Sequence, residues 1–465
     1  MSRCVITGTA GTVQPSSDAP MTSSKFTSFD GGVSAKGLLQ QPDRYRFWSS
    51  GKTGYPIIAR GAGLSYAAAS FSSGGVSIEH CSFNRVLDFD SEKRVVEVEA
   101  GIELAALHAF LSTRGLYLPI QPGHGRISVG GCIAADVHGK NQARDGTFIN
   151  QVSGLTLCHP SHGLIEVSPT AEPDLFRLTC GGYGLTGHII SARLRVSPIP
   201  SHIVEVKAVP VPDLVSGVNS LIEKALKSDF AYSWHDFMSS GTCFGQGYVY
   251  LGRFVSHGEI ATSAERDRAQ TVPILSSATR ASWRIPLFNR FTARMLNLAF
   301  RGKQRLGGLT QRIDLRDALF PIHESQVYFK LFGARGFHEY QVVIPSLRAH
   351  DYLDAVRGYL SRHPMAVTLA SAKFFQGSRE LLRFSGDGIC FAVNVPRTAP
   401  AKAFLAFLDE LVVSVGGIPN IIKDSRLPRS VVEACYPETQ RFRDQLRKFD
   451  PKRLFRSELS ERLGL

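Results

Sequence analysis

Four polar side chains able to handle a proton or an anion arrive together in the stretch Pro119–Asn141: Asp136, His138, Lys140 and Asn141. Two further groups lie far downstream. Lys423 opens the run Lys423–Arg426, and Cys390 sits in an apolar segment. A histidine and a lysine can together take a hydroxyl proton and steady the oxygen it leaves. Gly123, Gly125, Gly130, Gly131 and Gly139 surround the first group. Glycine lets backbone approach a ligand closely and opens positive φ, and successive N–H groups can then converge on an anion. A plainer reading is also open. It makes the stretch a glycine-rich connection with His138 an ordinary buried histidine, Lys423–Arg426 a salt-bridged surface loop, and Cys390 a small core residue.

Two more glycine clusters occur, RGAGLSY at Arg60–Tyr66 and GGYGLTG at Gly181–Gly187. The first lacks the third glycine of a Rossmann fingerprint, and the second lacks the Lys-Ser/Thr ending of a Walker loop. Three clusters between Arg60 and Gly187 nevertheless argue for one large phosphate-bearing cofactor, a dinucleotide, held by backbone groups. No nucleophile elbow, HExxH or Cys/His metal spacing is present. The expectation is therefore no metal and no acyl transfer.

The elements that must position these residues read as alternating strands and short helices from Tyr55 onward. PIIARG, GGVSIEH and VVEVEAG are strands, and IELAALHAFLSTRG is an amphipathic helix stopped by Gly115. VSGLTLCHPSHGLIEVSP is a hairpin with Pro160 and Gly163 in its turn. A helix, a glycine turn and a long strand follow, up to Pro198 and Pro200. From Ser201, strands and helices alternate as in an α+β module, closed by YQVVIP, ICFAVNVP and the helix AKAFLAFLDELVVSVGG. The tail RFRDQLRKFDPKRLFRSELSERLGL is basic and helix-prone. Between Thr279 and Arg316, arginines and lysines alternate with apolar residues. That segment is either a solvated face or an amphipathic element meeting an anionic membrane or a phosphate.

A chain of 465 residues exceeds what one hydrophobic core organises. The expected division is a disordered leader over 1–25, a cofactor-binding domain over 26–200, a substrate domain over 201–417, and a C-terminal segment 418–465 returning to the cofactor domain. A net charge of +13 favours acidic partners. It also supports a non-enzymatic alternative, a basic protein binding nucleic acid or membrane, which the lack of RRM, KH or finger motifs disfavours. The eight cysteines are scattered, which suits reduced thiols in a cytoplasm. No run approaches the ~18 apolar residues of a membrane span, and the N-terminus lacks a secretory core.

RGAGLSY, LPIQPGHGRISVGGCIAADVHGKN and GGYGLTGHII resemble the FAD-binding domain of the vanillyl-alcohol-oxidase type (PCMH-type) flavoproteins. EYQVVIP, AKFFQG, IIKDSR and FDPKRLFRSELSERL, in that order, resemble the branch of that superfamily that oxidises the 2′-hydroxyl of decaprenylphosphoryl-β-D-ribose. The resemblance runs from about Tyr55 to the C-terminus and is weakest between Glu205 and Leu309. It implies an α+β fold with a PCMH-type FAD-binding domain of two α/β subdomains and a cap domain built on an antiparallel sheet flanked by helices.

For the cofactor, the resemblance implies FAD at Ala59, Arg60, Gly61, Ala62, Gly63, Leu64, Ser65 and Tyr66. It continues the site through Gly123, Ser128, Val129, Gly130, Gly131, Ala135, Asp136, Val137 and His138, with Ile189 on the adenine side and Asn420 nearby. Many members attach the flavin through a histidine of the first loop. Tyr66 stands near that position, so FAD is expected to be non-covalent. The resemblance sets His138, Lys140, Trp234, Gln341, Lys373, Phe375, Cys390 and Lys423 against the substrate. For the chemistry, Lys423 is the expected main catalytic group, as base or as polariser of the oxygen, with His138 orienting the substrate or sharing the proton. Gly388, Asn420 and Ile313 depart from the family pattern and bear on the sugar. A partner NAD-dependent reductase and peripheral contact with the inner face of the cell membrane are implied. The runner-up is an alditol or D-arabinono-1,4-lactone oxidase.

Overall fold

The computed structural model describes residues 21–42, 54–259, 284–321 and 327–465. The chain is α+β, and three main sheets carry it. The first is ordered β1-β2-β4-β3, from β1 (Met21–Thr27), β2 (Ser34–Gln40), β3 (Ile57–Arg60) and β4 (Val76–Glu79). β1 and β2 form an antiparallel hairpin, while β2, β4 and β3 run parallel. Residues 21–25, expected within a disordered leader, are strand residues paired to Lys36–Gln40. The rest of that leader lies outside the described residues.

The second sheet begins with β5 (Val86–Asp90) and β6 (Val95–Glu99). Helix α1 (Leu104–Ser112) leads from it to β7 (Leu116–Tyr117), which pairs with a short strand further on. The glycine-rich stretch is not simply a loop, because it contains a helix, α2 (Val129–Ala135), followed by α3 (Gln142–Asp145). The hairpin β8 (Val152–His159) and β9 (Gly163–Val167), helix α4 (Pro173–Thr179) and β10 (His188–Arg195) complete the antiparallel order β5-β6-β10-β8-β9. β11 (Ser197–Pro198) is the partner of β7.

The third sheet has eight strands, all paired antiparallel, in the order β15-β12-β14-β13-β17-β18-β16-β19. They are β12 (Ile203–Val211), β13 (Phe230–His235), β14 (Gly247–Phe254), β15 (Thr310–Asp314), β16 (Phe337–Ile344), β17 (Leu369–Phe375), β18 (Gly388–Pro396) and β19 (Ile418–Pro419). Helices α5 (Leu214–Lys224), α9 (Ala349–Arg362) and α10 (Ala399–Ser414) bury apolar stripes that join one large core. Between β14 and β16 come α6 (Arg290–Leu306), α7 (Leu315–Leu319) and α8 (Val327–Lys330). Only the part of the Arg-rich segment from Arg284 onward falls within the described residues.

The tail forms α11 (Arg429–Cys435), α12 (Thr439–Phe449) and α13 (Glu458–Leu463). It meets the first sheet: Ile57 N–H donates to Leu454 O at 2.8 Å and Arg456 N–H to Ile57 O at 3.0 Å. One apolar core accordingly joins Ile58 and Ile78 to Val342, Phe404 and Leu459. A second fills the space between the five-stranded sheet, α1 and α2 and reaches Leu315 and Phe320.

Burial also sets a pH limit on this fold. His80, His108 and His235 are enclosed, and loss of hydration brings each down to about 4. The unfolded histidine titrates near 6.5, so between about 4 and 6.5 the unfolded chain binds more protons. Stability is therefore full above about pH 6.5 and falls on acidification toward pH 4, by up to about 1.4 kcal/mol per pH unit for each histidine. His108→Leu should flatten the pH dependence of urea unfolding across that window by about this amount. An unchanged slope would remove His108 from the acid sensitivity.

Candidate functional site

A cavity of about 910 Å³ lies between the glycine clusters and one face of the eight-stranded sheet, within the size range of small-molecule sites. One wall is backbone. Beyond β3 the chain turns through Arg60–Tyr66, where Gly63 has φ +70° and a Cβ there would meet the Arg60 guanidinium at 2.3 Å. Gly61 sits so close to Ser128 that its Cβ would lie 2.2 Å from Oγ. Ser128 caps α2 by accepting from Gly131 N–H at 3.3 Å. Of the two uses glycine offers at Gly123, Gly125, Gly130, Gly131 and Gly139, close approach and positive φ, none of them takes the second. At Gly130 and Gly139 the reason for glycine is close approach. Gly130 packs on Ala100, with its N–H 2.7 Å from Ala100 O, and Gly139 packs on Gln121 O and Asn141.

The helix ends at Asp136, a non-glycine residue in the left-handed region at φ 43°. Its buried carboxylate holds that turn by accepting from Thr147 Oγ1 and Ile149 N–H, each at 2.8 Å, with Arg383 Nε 4.0 Å away. Burial pushes the Asp136 carboxyl up and Arg383 opposes it. Two residues on, the His138 ring packs against Phe375 (4.8 Å) and Phe384 (5.8 Å), with Nδ1 3.1 Å from Gly139 O. An N–H at Nδ1 donating to that carbonyl leaves Nε2 as a proton acceptor. Burial and then the Lys373 charge hold His138 well below the usual histidine range, so the ring is neutral.

The opposite wall obeys the two-residue period of strands. Tyr232 and Trp234 on β13, Ser371 and Lys373 on β17, Ala392 and Asn394 on β18, and Glu339 and Gln341 on β16 all reach the cavity. Asn420 lines it too and fixes Gln341: its side-chain amide donates to Gln341 Oε1 at 2.6 Å and its N–H to Gln341 O at 2.8 Å. Three residues on, Lys423 Nζ stands 3.2 Å from Glu339 Oε1 and 4.1 Å from the centre of the Tyr66 ring. The loop after Lys423 is not the exposed surface loop of the plainer reading, since Asp424 and Ser425 are buried. Arg426 pairs with Asp424 at 3.0 Å, and Ser425 donates to Asp30.

The structure thus gathers His138, Lys140, Trp234, Gln341, Lys373 and Lys423 around one cavity. Ala59, Arg60, Gly61, Ala62, Gly63, Leu64, Ser65, Tyr66, Gly123, Ser128, Gly130, Gly131, Ala135, Asp136, Val137, Ile189 and Asn420 are there as well. Three expected residues do not line it. Val129 points into the apolar core beneath α2. Phe375 and Cys390 lie where Phe384 covers the end of the sheet face, in an apolar cluster with Val343. There Phe375 supports the His138 ring, and burial drives the Cys390 thiol up to about 12, which makes it inert.

Glu339 is the principal residue that motif reading passed over, although Gln341 two positions on marks the same strand face. Tyr232 follows from Trp234 in the same way. Tyr328 and Phe329 also line the cavity, and no local pattern announces them. Among the described residues no cluster of metal-ligating side chains occurs.

A family model described as an FAD binding domain matches residues 49–168. The chain is 26% identical over 424 residues to decaprenylphosphoryl-beta-D-ribose oxidase of Mycolicibacterium smegmatis, an alignment covering 89% of this chain and 90% of that protein. It is 27% identical over 381 residues to an uncharacterized protein in the mprA 5′ region of Streptomyces coelicolor, covering 78% and 100%. L-gulonolactone oxidase of Mus musculus is 24% identical over 403 residues, covering 84% and 85%. The backbone wall suits such a cofactor, because side chains at Gly61, Gly63 and Gly130 would occupy the space that closes it.

Gly63→Val places a β-branched residue at positive φ against Arg60, a strain of about 1–3 kcal/mol. The purified variant should carry clearly less flavin per chain than wild type, read from the ratio of visible to ultraviolet absorbance. An unchanged ratio would show that this turn does not touch the cofactor.

Proposed function

Taking as premise that the chain is an FAD-dependent oxidoreductase built on a PCMH-type FAD-binding domain of the vanillyl-alcohol-oxidase superfamily, we propose that it oxidises a secondary hydroxyl of a sugar, the 2′-hydroxyl of a polyprenylphosphoryl-β-D-ribose-like substrate. The observation that carries this reading is the convergence of neutral His138, Lys423 and Gln341 on one cavity. The similarity to a decaprenylphosphoryl-ribose oxidase along most of both chains supports the choice of sugar.

FAD is held without a covalent bond by Arg60–Tyr66, Ser128–Gly131 and Asp136–His138, since the first loop offers Tyr66 and no histidine or cysteine. Bound there, the flavin supplies the acceptor for the hydride leaving the carbinol carbon. His138 Nε2 takes the hydroxyl proton. Lys423, steadied by Glu339 and the Tyr66 ring, donates a hydrogen bond to the oxygen as it gains negative charge. Gln341, locked by Asn420, orients a neighbouring hydroxyl, and Trp234 packs against the sugar. The product ketone suits a partner NAD-dependent reductase that returns the hydroxyl with inverted configuration.

The membrane belongs to the same proposal. No helix among the described residues is long and apolar enough to cross a bilayer. α6, however, buries only Ala293 and Asn297, while Phe291 (72%), Met295 (49%) and Leu306 (92%) are exposed beside Arg290, Arg294 and Arg305. Phe300 and Gln304 of the same helix line the cavity. This face lies on an anionic bilayer and opens the site toward a lipid-borne substrate.

The second reading, an alditol or aldonolactone oxidase, rests on the likeness to a gulonolactone oxidase. Anaerobic flavin bleaching against a short-chain prenylphosphoryl pentose, alditols and aldonolactones separates the two. Bleaching by the first supports the proposal, whereas bleaching by soluble lactones with peroxide release in air supports the second. Lys423→Ala should keep its FAD yet bleach at least about a hundredfold more slowly, and fast bleaching would remove Lys423 from the chemistry. Phe291→Glu with Met295→Glu should abolish cosedimentation with anionic vesicles. Persistent cosedimentation would move the membrane face elsewhere.

A further inference from the structure

The cavity is lined by four cationic side chains, Arg60, Lys140, Lys373 and Lys423, and by two carboxylates, Asp136 and Glu339. Both carboxylates are committed. Glu339 pairs with Lys423 at 3.2 Å, and Asp136 is engaged by Thr147, Ile149 and Arg383. Arg60 belongs to the glycine wall, where it donates to Ser70 Oγ at 3.0 Å. Lys140 and Lys373 therefore face the cavity with no carboxylate of their own among the described residues.

Lys140 Nζ donates to the Ala318 carbonyl and lies 5.0 Å from the centre of the Tyr232 ring. Neither neutralises a charge. Lys373 Nζ makes no hydrogen bond or ion pair among the described residues. The backbone that carries the two is braced as a unit. Ala231 N–H donates to Lys140 O at 3.1 Å, and the Gln142 side chain exchanges two hydrogen bonds with the Gln376 backbone, at 2.9 and 3.0 Å, just beyond the strand bearing Lys373.

We propose that Lys140 and Lys373 form an anion subsite that holds the phosphate ester of the substrate against the sheet wall. The inference rests on the sugar-oxidising reading and deepens it, by assigning the substrate's charge to two residues. A neutral polyol or lactone would leave the repulsion of Lys140 by Lys373 unrelieved in a poorly solvated space, which is costly. An anion between them removes that cost, and lysine is a suitable point charge for phosphate. The Trp234 and Phe300 rings, tilted against each other with centroids 4.6 Å apart, give an apolar continuation for the ester's hydrocarbon.

The free site shows the expected strain. Burial, and then repulsion from Lys373, bring Lys140 down to about 7, and burial also lowers Lys373. An anion reverses both shifts. At pH 8 binding should therefore draw up to about 0.9 proton into Lys140 alone.

The test is calorimetry of the FAD-loaded protein at pH 8 in two buffers of different ionisation enthalpy. The probes are a short-chain prenylphosphoryl pentose, inorganic phosphate and a neutral aldonolactone. The prenylphosphoryl pentose should bind with proton uptake, inorganic phosphate should compete with it, and the lactone should take up none. Lys140→Met and Lys373→Met, which replace a charge by an apolar side chain of similar length, should each weaken the phosphoryl sugar at least about tenfold, and Lys140→Met should abolish most of the uptake. If both variants bind and bleach with the phosphoryl sugar like wild type, the subsite falls and the oxidation stands. If only neutral sugars bleach the flavin, both fall.

Discussion

Gly130 has no room for a side chain: a Cβ would lie 3.0 Å from Ala100 Cβ and 3.1 Å from Ala100 O. That contact seats α2 directly on the end of β6. The rest of the site follows from it in sequence order. The helix ends where its left-handed cap can be held by a buried carboxylate, Asp136, and the chain leaving the cap carries His138 and Lys140 toward the sheet. Aromatic contacts from Phe375 and Phe384 then fix the imidazole. A looser seat at Gly130 would displace His138, eight residues on, although Gly130 does not touch it.

The two walls supply different physics. The glycine wall offers backbone dipoles and close approach, which suit an extended cofactor with a pyrophosphate. The sheet wall offers side chains at a two-residue repeat, so each strand contributes two or three groups to one surface. Charge is distributed unequally between them. The ion pair of Lys423 with Glu339 stands where the walls meet, beside Tyr66. It fixes one lysine in place, while Lys140 and Lys373 pair with no carboxylate among the described residues.

Much of this was legible in the amino-acid order. Periodicity marked the strands VVEVEAG and ICFAVNVP, the helix stopped at Gly115 and the hairpin turning at Pro160–Gly163, because each has a local cause. The motifs around Arg60, His138 and Lys423 marked residues the fold does bring to one cavity. Burial direction was less legible. Cys390 and Phe375 belong to strands whose other residues reach the site, and only the covering ring of Phe384 places them behind it. The glycines were read for close approach to a ligand and for left-handed freedom, yet at Gly130 and Gly139 they serve close approach to the protein's own Ala100 and Gln121, which are not neighbours in sequence. Glu339 stands inside the segment EYQVVIP, yet its role depends on Lys423, 84 positions on, which no local pattern shows.

The loop that follows Lys423 is tied to the opposite end of the chain. Asp30, at the turn of the first hairpin, accepts from Ser425 and from Arg397 at 2.6 Å. These bonds span 395 and 367 residues. Within the hairpin itself Asp30 Oδ1 accepts from Ser28 Oγ and Gly32 N–H, so during synthesis only Oδ2 must wait until almost the entire polypeptide has emerged. The loop that carries Lys423 is thereby braced by residues from the opposite end of the fold.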